Sequence, residues 1–180
     1  MKKETLYLIG GSGFIGKNLV RCLSPFYGIT VFDKYIDTQF FSNYPQVQTC
    51  RLDLVIDKVP TNYPVPEFII NLASVVTAER DLSLFDILIS SNLKILLNLF
   101  ERFRDDKRLK MFIQFGSSEE YGSENSPFKE ENRENPNSPY ALVKQLTTNT
   151  SIMLHRNYGF PVMVCLLYTS PSPRDSTSSR

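Results

Sequence analysis

The chain has 180 residues, 42% of them hydrophobic and 22% charged, and it carries a formal net charge of +1. This composition is typical of a single globular domain, and its scattered lysines and arginines build no basic surface for nucleic acid. Three cysteines at wide spacing, Cys22, Cys50 and Cys165, form neither a metal-binding pattern nor a disulfide framework, so we expect a reduced, cytoplasmic location and no metal site.

Short apolar runs alternate with helical patterns along the chain. The predicted strands cover residues 6–9, 29–32, 47–52, 68–71, 111–115 and 162–166, and the predicted helices cover 14–23, 84–104 and 139–158. This alternation is typical of the α/β class, in which a doubly wound parallel sheet carries helices on both faces. Polar residues interrupt the apolar stretch 82–100, so we expect no membrane span, and the polar segment 121–138 is predicted to be a loop.

A glycine-rich turn, LYLIGGSGFIG at residues 6–16, joins the first strand to the first helix. At this spacing Gly10 and Gly13 let the backbone approach a pyrophosphate, and Gly16 lets the helix pack close to the strand. Asp33 ends the second strand about 20 residues later, where a carboxylate accepts hydrogen bonds from ribose hydroxyls and repels a 2′-phosphate. These features predict a dinucleotide site that prefers NAD, with Asp53 as a candidate for the adenine contact. For both aspartates, the alternative interpretation is a carboxylate that only caps a turn.

Tyr140 and Lys144 lie four residues apart on the last predicted helix, which places both side chains on one face. A lysine ammonium close to a phenol favours the phenolate, so we expect Lys144 to lower the pKa of Tyr140 towards that of a general base. Ser117 lies in GSSEEYG, directly after the fifth strand, at the edge where parallel sheets bind ligands. The sequence therefore predicts a Ser-Tyr-Lys reaction centre. The alternative for the Tyr-Lys spacing is an ordinary surface pair.

The motifs GGSGFIG, VFDK, RLDL, NLAS, SSEEYG and SPYALVK follow one another within residues 5–166. In this order and spacing the chain resembles the extended branch of the short-chain dehydrogenase/reductase superfamily, the NAD-dependent sugar-nucleotide epimerases and dehydratases. The resemblance covers the N-terminal Rossmann portion of that family. It implies a Rossmann fold, NAD as the cofactor, a sugar-nucleotide substrate and, in the full-length form, a homodimer. The cofactor-binding residues that it implies are Gly10, Gly13, Phe14, Ile15, Gly16, Asp33, Asp53, Leu54, Leu72, Ala73, Ser74, Asn92, Tyr140 and Lys144.

The resemblance also implies the chemistry. Tyr140 would remove the proton of the sugar 4-hydroxyl, Ser117 would share that hydrogen bond, and Lys144 would bind the nicotinamide ribose while hydride passes from sugar C4 to NAD. Glu119 matches the position of a dehydratase acid/base that acts on sugar C5, so it is a further catalytic candidate. The alternative is that Glu119 and Glu120 form a solvated acidic pair.

After the last predicted strand the chain departs from the family pattern. Residues 168–180 are rich in serine and proline and have no apolar periodicity. We expect an NAD-binding domain over 1–167, a disordered, non-native tail over 168–180, and no C-terminal substrate lobe to support full turnover. Two other hypotheses stay open: an NADPH-dependent 4-keto-6-deoxy-sugar-nucleotide reductase, and a catalytically silent NAD-binding module.

Overall fold

The computed structural model describes residues 3–122 and 133–167. The predicted tail, 168–180, and the part of the predicted loop over 123–132 lie outside the described residues. Within the described residues the chain forms a parallel sheet with helices packed against it.

Six strands form the sheet in the order β3-β2-β1-β4-β5-β6, and every neighbouring pair is parallel. The strands are β1 (Thr5–Ile9), β2 (Gly28–Asp33), β3 (Gln48–Arg51), β4 (Phe68–Asn71), β5 (Met111–Ser117) and β6 (Val162–Leu167). The chain builds outward from β1 to β3 and then crosses to β4 on the other side of β1. Because the strand order reverses between β1 and β4, the sheet opens a crevice at their carboxyl ends. The predicted α/β Rossmann fold is confirmed.

In the part of the chain that the structure describes, five α-helices accompany the strands. They are α1 (Phe14–Leu23), α2 (Thr38–Phe41), α3 (Phe85–Ile89), α4 (Ile95–Phe103) and α5 (Pro139–Tyr158). The short helix α2 was not predicted from the sequence, and its N-cap is Asp37, whose carboxylate accepts a hydrogen bond from the Phe40 amide at 3.0 Å.

The single predicted helix over 84–104 is wrong in its interior. A 3-10 turn at Leu82–Leu84 leads into α3, and a π-helical segment, Ser90–Lys94, separates α3 from α4. The Asn92 side chain donates to the Leu88 carbonyl at 2.9 Å, and the Ser91 hydroxyl also donates to it at 3.3 Å. These side chains compete with the backbone for that carbonyl, which is how polar residues widen a helical turn.

Among the described helices, the segment Leu82–Phe103 is long and apolar enough to cross a membrane by composition, with a mean hydropathy of 1.4. Core helices of soluble proteins meet the same criterion. Leu96, Leu99 and Phe103 of this segment are buried in the main core cluster. The absence of a membrane span therefore stays a prediction.

The core lies on both faces of the sheet, because alternate strand residues point to opposite sides. In β1, Tyr7 and Ile9 join the cluster that packs against α4, whereas Leu6 and Leu8 join the cluster that packs against α1. With both faces covered by helices, ligands of such a sheet bind outside the carboxyl ends of the strands.

Candidate active site

Two adjoining cavities lie along the carboxyl edge of the sheet. The larger measures about 380 Å³ and the smaller about 310 Å³. Both are lined by Gly10, Gly13, Leu72, Ala73 and Ser74, so they form one cleft that crosses the switch point between β1 and β4. Clefts at this point are the usual ligand sites of open parallel sheets.

The glycine turn forms the floor of this cleft. Gly10 has a positive φ of 75°, and a Cβ atom there would lie 2.8 Å from the Ala73 backbone nitrogen. A Cβ atom on Gly16 would lie 2.4 Å from the Gly11 carbonyl oxygen, so glycine allows α1 to pack against the turn. Gly13 is the N-cap of α1 and makes no side-chain cap, which leaves the first amides of the helix to the cleft.

Phe14 and Ile15 begin α1 and line the smaller cavity together with Gly16. The Phe14 side chain is 84% exposed, although large apolar side chains are usually covered. The turn therefore presents both backbone amides and an uncovered apolar surface to the same space.

Asp33, Asp53 and Leu54 line the larger cavity, at the far end of the cleft. The Asp33 carboxylate accepts hydrogen bonds from the Ser12 amide at 2.9 Å and the Tyr35 amide at 3.1 Å. It therefore caps the surrounding turns and also lines the cavity, and its contact with a ribose stays a prediction. Asp53 likewise accepts from the Val55 amide at 3.0 Å.

The Ser12 hydroxyl in the same cavity was not singled out in the sequence. It is buried and has no hydrogen-bond partner among the described residues. A buried hydroxyl without a partner is costly, and a polar ligand in the cavity would satisfy it.

Asn92 does not reach the cleft directly. It is 1% exposed, and its carbonyl oxygen accepts a hydrogen bond from the Ser74 hydroxyl at 2.7 Å. Because Ser74 lines both cavities, Asn92 orients a cleft residue from behind. Asn71 supports the cleft in a similar way, because its side chain accepts a hydrogen bond from the Ala73 amide at 3.2 Å and donates one to Gln114 at 2.8 Å. The sequence analysis did not predict this role of Asn71.

Tyr140 and Lys144 line the smaller cavity, at the near end of the cleft. Their helix begins at a strong start signal, because the Ser138 hydroxyl accepts from the Ala141 amide at 3.1 Å and Pro139 takes the first helical position. Both residues are buried, with Tyr140 5% and Lys144 3% exposed. The two do not form an ordinary surface pair.

The ionisation of Tyr140 differs from the sequence-based expectation. Burial raises the pKa of Tyr140 above its ordinary value of 10.0. The hydrogen bond with the Ser117 side chain lowers this pKa, and the negative charge of Glu119 raises it. The Lys144 Nζ atom donates a hydrogen bond to the Phe115 carbonyl at 2.5 Å. Burial lowers the pKa of Lys144 to about 8, and the charge of Glu120 opposes that fall. Lys144 is not among the groups that lower the Tyr140 pKa, which are the Ser117 and Ser74 hydroxyls, so the expected lowering by Lys144 is wrong for this structure.

Ser117 ends β5 beside Tyr140, but it lines neither cavity. Glu119 is exposed, whereas Glu120 is 1% exposed and accepts a hydrogen bond from the Ser117 amide at 2.8 Å. The interpretation of both glutamates as a solvated pair is therefore wrong for Glu120. The sequence carried a signal for it, because Ser117 and Glu120 have the Ser-x-x-Glu spacing of a capping box.

A sequence profile of the NAD dependent epimerase/dehydratase family matches residues 6–180. The chain belongs to this family. The family resemblance that the sequence motifs indicated is therefore confirmed. Within the described part of the chain, no group of three or more histidine, cysteine or acidic residues is placed to hold a metal ion.

Solved structures of similar fold include two 4-epimerases and a 4,6-dehydratase. The UDP-N-acetylglucosamine 4-epimerase of Methanobrevibacter ruminantium M1, in complex with UDP-N-acetylmuramic acid, has a TM-score of 0.81 at 24% identity over 91% of this chain and 54% of its own. The UDP-glucuronic acid 4-epimerase of Bacillus cereus, in complex with NAD, has a TM-score of 0.76 at 22% identity over 89% of this chain and 55% of its own.

A third similar structure is the dTDP-glucose 4,6-dehydratase of Streptomyces venezuelae with NAD bound, with a TM-score of 0.77 at 22% identity over 90% of this chain and 55% of its own. The family member described above thus spans about half the length of the structures that it matches. At these identities the likeness supports the fold, and function follows from the site.

Proposed function

We propose that residues 1–167 form the NAD-binding half of a sugar-nucleotide epimerase that oxidises the sugar C4 hydroxyl. The observation that carries the proposal is the single cleft that joins the glycine turn and Asp33 at one end to Tyr140 and Lys144 at the other. The similar epimerases and dehydratases bind NAD, UDP-sugars or both, which agrees with this cleft.

The residues of the cleft fit NAD. Asp33, with Asp53 and Leu54 beside it, would hold the adenosine, and the unpartnered Ser12 hydroxyl offers a further donor there. The first amides of α1, at Phe14 and Ile15, would hold the pyrophosphate. Leu72, Ala73 and Ser74 would line the middle of the dinucleotide, with Asn92 behind them, and Tyr140 and Lys144 would bind the nicotinamide ribose.

The chain's own residues would handle the proton. When bound, NAD supplies a hydride acceptor and a positive charge near the smaller cavity. That charge favours the phenolate, so it opposes the burial that raises the Tyr140 pKa. Tyr140 would then accept the proton of the sugar 4-hydroxyl, with the Ser117 hydroxyl donating a hydrogen bond to the same oxygen.

Dehydration is the second candidate reaction, and it would use Glu119 as an acid/base on sugar C5. Glu119 is exposed, whereas Tyr140 and Lys144 are buried at the cleft, and epimerisation needs no carboxylate beside them; we therefore favour epimerisation over dehydration. A reductase that consumes NADPH is disfavoured by Asp33, because its carboxylate would repel the 2′-phosphate. A catalytically silent NAD-binding module would not need a buried phenol beside a buried ammonium in the cleft, so the positions of Tyr140 and Lys144 favour an enzyme.

We also propose that the enzyme forms a homodimer through α3 and α5, as its family resemblance implies. Both helices expose large apolar residues: Ile87 at 51%, Leu142 at 45%, Leu146 at 43% and Met153 at 40%. An apolar helix face of this kind is typical of a protein interface. Light scattering should give a dimer mass for the parent and a monomer mass for Leu146→Glu, and equal masses would contradict the proposal.

A cytoplasmic location stays a prediction.

Calorimetric titration with NAD and NADP tests the cofactor assignment. Asp33→Ala should weaken NAD binding about tenfold, roughly 1.4 kcal/mol, and reduce the preference for NAD over NADP. Asp105→Ala is the matched control, because the Asp105 side chain is 88% exposed and follows the C-terminal end of α4, whereas the first residue of α4, Ile95, lines the cavity. Unchanged NAD binding in Asp33→Ala would remove this residue from the ribose contact.

The reaction itself is tested by incubating the NAD-loaded chain with UDP-glucuronic acid or UDP-N-acetylglucosamine. We expect NADH absorbance to appear with the parent chain and to be lost in Tyr140→Phe, which lacks the phenol that accepts the proton. NADH formation that survives in Tyr140→Phe would contradict the role of this residue. A parent chain that does not bind NAD at all would contradict the proposed function.

A further inference from the structure

We propose that Glu120 is a positioning residue of this reaction centre: its carboxylate holds the Ser117 end of β5 and is the buried counter-charge of Lys144. The inference rests on the proposed function, since it assigns to Glu120 the support of two residues that the proposed reaction uses. It concerns a side chain that does not touch the cleft.

Glu120 and Lys144 are the two charged residues that are buried within the described residues, at 1% and 3% exposure. Removing an ionised carboxylate or ammonium from water is costly unless the charge is paired or hydrogen-bonded. The two lie in one cluster, where the 3-10 turn Ser118–Tyr121 packs against α5. Within the described residues they form no direct salt bridge, but both are hydrogen-bonded to the last residues of β5, Glu120 to the Ser117 amide and Lys144 to the Phe115 carbonyl. Each charge is therefore buried close to the other, where opposite charges reduce the cost of desolvation.

The carboxylate is held against the end of β5 by direct contacts. Its Oε1 atom accepts a hydrogen bond from the Ser117 amide at 2.8 Å, while the Ser117 hydroxyl accepts from the Glu119 amide at 3.2 Å. A Cβ atom on Gly116 would lie 2.8 Å from the same Oε1 atom. Glycine at this position therefore leaves the space that the buried carboxylate occupies, and the Ser117 backbone is oriented by it.

The second part of the cluster is the charge of Lys144. Its Nζ atom donates to the Phe115 carbonyl, two residues before Ser117. Glu120 is the charged group that raises the pKa of Lys144, against the larger lowering by burial. Glu120 thus acts on both Ser117 and Lys144, and it joins the end of β5 to α5.

Other groups also face this carboxyl. Burial raises the pKa of Glu120, the Ser117 amide and Lys144 lower it, and the charge of Glu134 raises it. The Thr148 hydroxyl lies close enough to lower the pKa of Glu120, although it does not reach hydrogen-bond geometry with any described residue. Lys144 is therefore the one cation that opposes the desolvation of Glu120 among the described groups that act on it.

A capping box alone would account for the contact with Ser117 but not for the charge of Lys144. The decisive experiment therefore follows the titration of Lys144 by the 13Cε chemical shift of 13C-lysine-labelled full chain, in the absence of cofactor. The signal is assigned from the spectrum of Lys144→Arg. In the parent chain the midpoint should lie near pH 8.

Glu120→Gln keeps the side-chain oxygen that accepts from Ser117 but removes the charge. We expect it to increase the acid dissociation constant of Lys144 about threefold or more, which is a lower midpoint. Glu119→Gln is the matched control, because it removes the same charge from the adjacent exposed residue and should leave the Lys144 midpoint unchanged. Glu120→Leu removes the acceptor as well, and we expect faster hydrogen exchange of the Ser117 amide in it.

Equal Lys144 midpoints in the parent and Glu120→Gln would overturn the proposal, as would equal shifts in Glu119→Gln and Glu120→Gln. Glu120→Gln remains decisive if the leucine variant does not fold. The titration needs no NAD, so a parent chain that fails to bind NAD refutes the proposed function without affecting this result.

Discussion

Replacing Lys144 by methionine removes the buried ammonium while keeping an unbranched side chain of similar length. The pKa of Lys144 falls from 10.5 to about 8 on burial. Each tenfold change in an ionisation constant corresponds to about 1.4 kcal/mol, so the ammonium costs the folded state about 3 kcal/mol. Lys144 is 3% exposed, so solvent screening does little to reduce this figure.

The sign of the pH dependence follows from the lower pKa of the folded state. Below about pH 8 both the folded and unfolded chains carry the proton, and the whole cost of burying the charge is present. Between about pH 8 and 10.5 the folded chain releases the proton while the unfolded chain keeps it. The contribution of Lys144 to the free energy of unfolding therefore rises with pH, by about 3 kcal/mol across this window.

Urea unfolding followed by circular dichroism from pH 7 to pH 10.5 measures this contribution. The difference in unfolding free energy between the parent and Lys144→Met should change by about 3 kcal/mol across the window. Lys107→Met, at an exposed lysine away from the cleft, should give a curve parallel to the parent. The slope is diagnostic rather than the offset, because methionine also changes the packing around Glu120. Parallel curves for the parent and Lys144→Met would refute the argument that Lys144 is desolvated.

Two further predictions concern the elements that frame the cleft. Gly16→Ala should lower the free energy of unfolding by about 1–3 kcal/mol, because its Cβ atom would meet backbone, whereas Gly13→Ala should cost less than about 1 kcal/mol. Equal losses of stability in the Gly16→Ala and Gly13→Ala variants would contradict the packing argument. Because Gly13 lines both cavities, Gly13→Ala should nevertheless bind NAD at least about tenfold more weakly, as measured by calorimetric titration. Ser138→Ala removes the N-cap of α5 and should lower the free energy of unfolding, measured by thermal denaturation, by about 1 kcal/mol. Ser138→Asn keeps a capping side chain and should retain most of that stability. Equal stability of the two variants would mean that the cap does not stabilise the helix.

Local patterns in the sequence were enough to predict the sheet and the ends of the cleft. The six apolar runs became six parallel strands, with boundaries that moved by at most two residues. The glycine turn, with Asp33 at the end of β2, and the Tyr140–Lys144 pair all line the cleft. These features are readable because strand burial, turn geometry and helical spacing depend on neighbours in the chain.

The interior of the predicted helix over 84–104 shows where local pattern was insufficient. The π-helical segment arises from side chains that compete for the Leu88 carbonyl, and Asn92 is held by Ser74 from a different part of the chain. Helical periodicity in the sequence does not report such competition. The role of Asn92 behind the cleft therefore depended on a contact between segments distant in sequence.

The two adjacent glutamates, Glu119 and Glu120, show most clearly what the sequence determined and what the tertiary structure decided. The sequence by itself determined the Ser-x-x-Glu spacing, the parallel sheet and the order of the site residues along the chain. Only the tertiary structure decided that Glu119 faces solvent while Glu120 is buried with Lys144, and that burial raises the Tyr140 pKa. Burial and ionisation are set by what packs against a side chain from elsewhere in the chain, and a linear pattern does not contain that information.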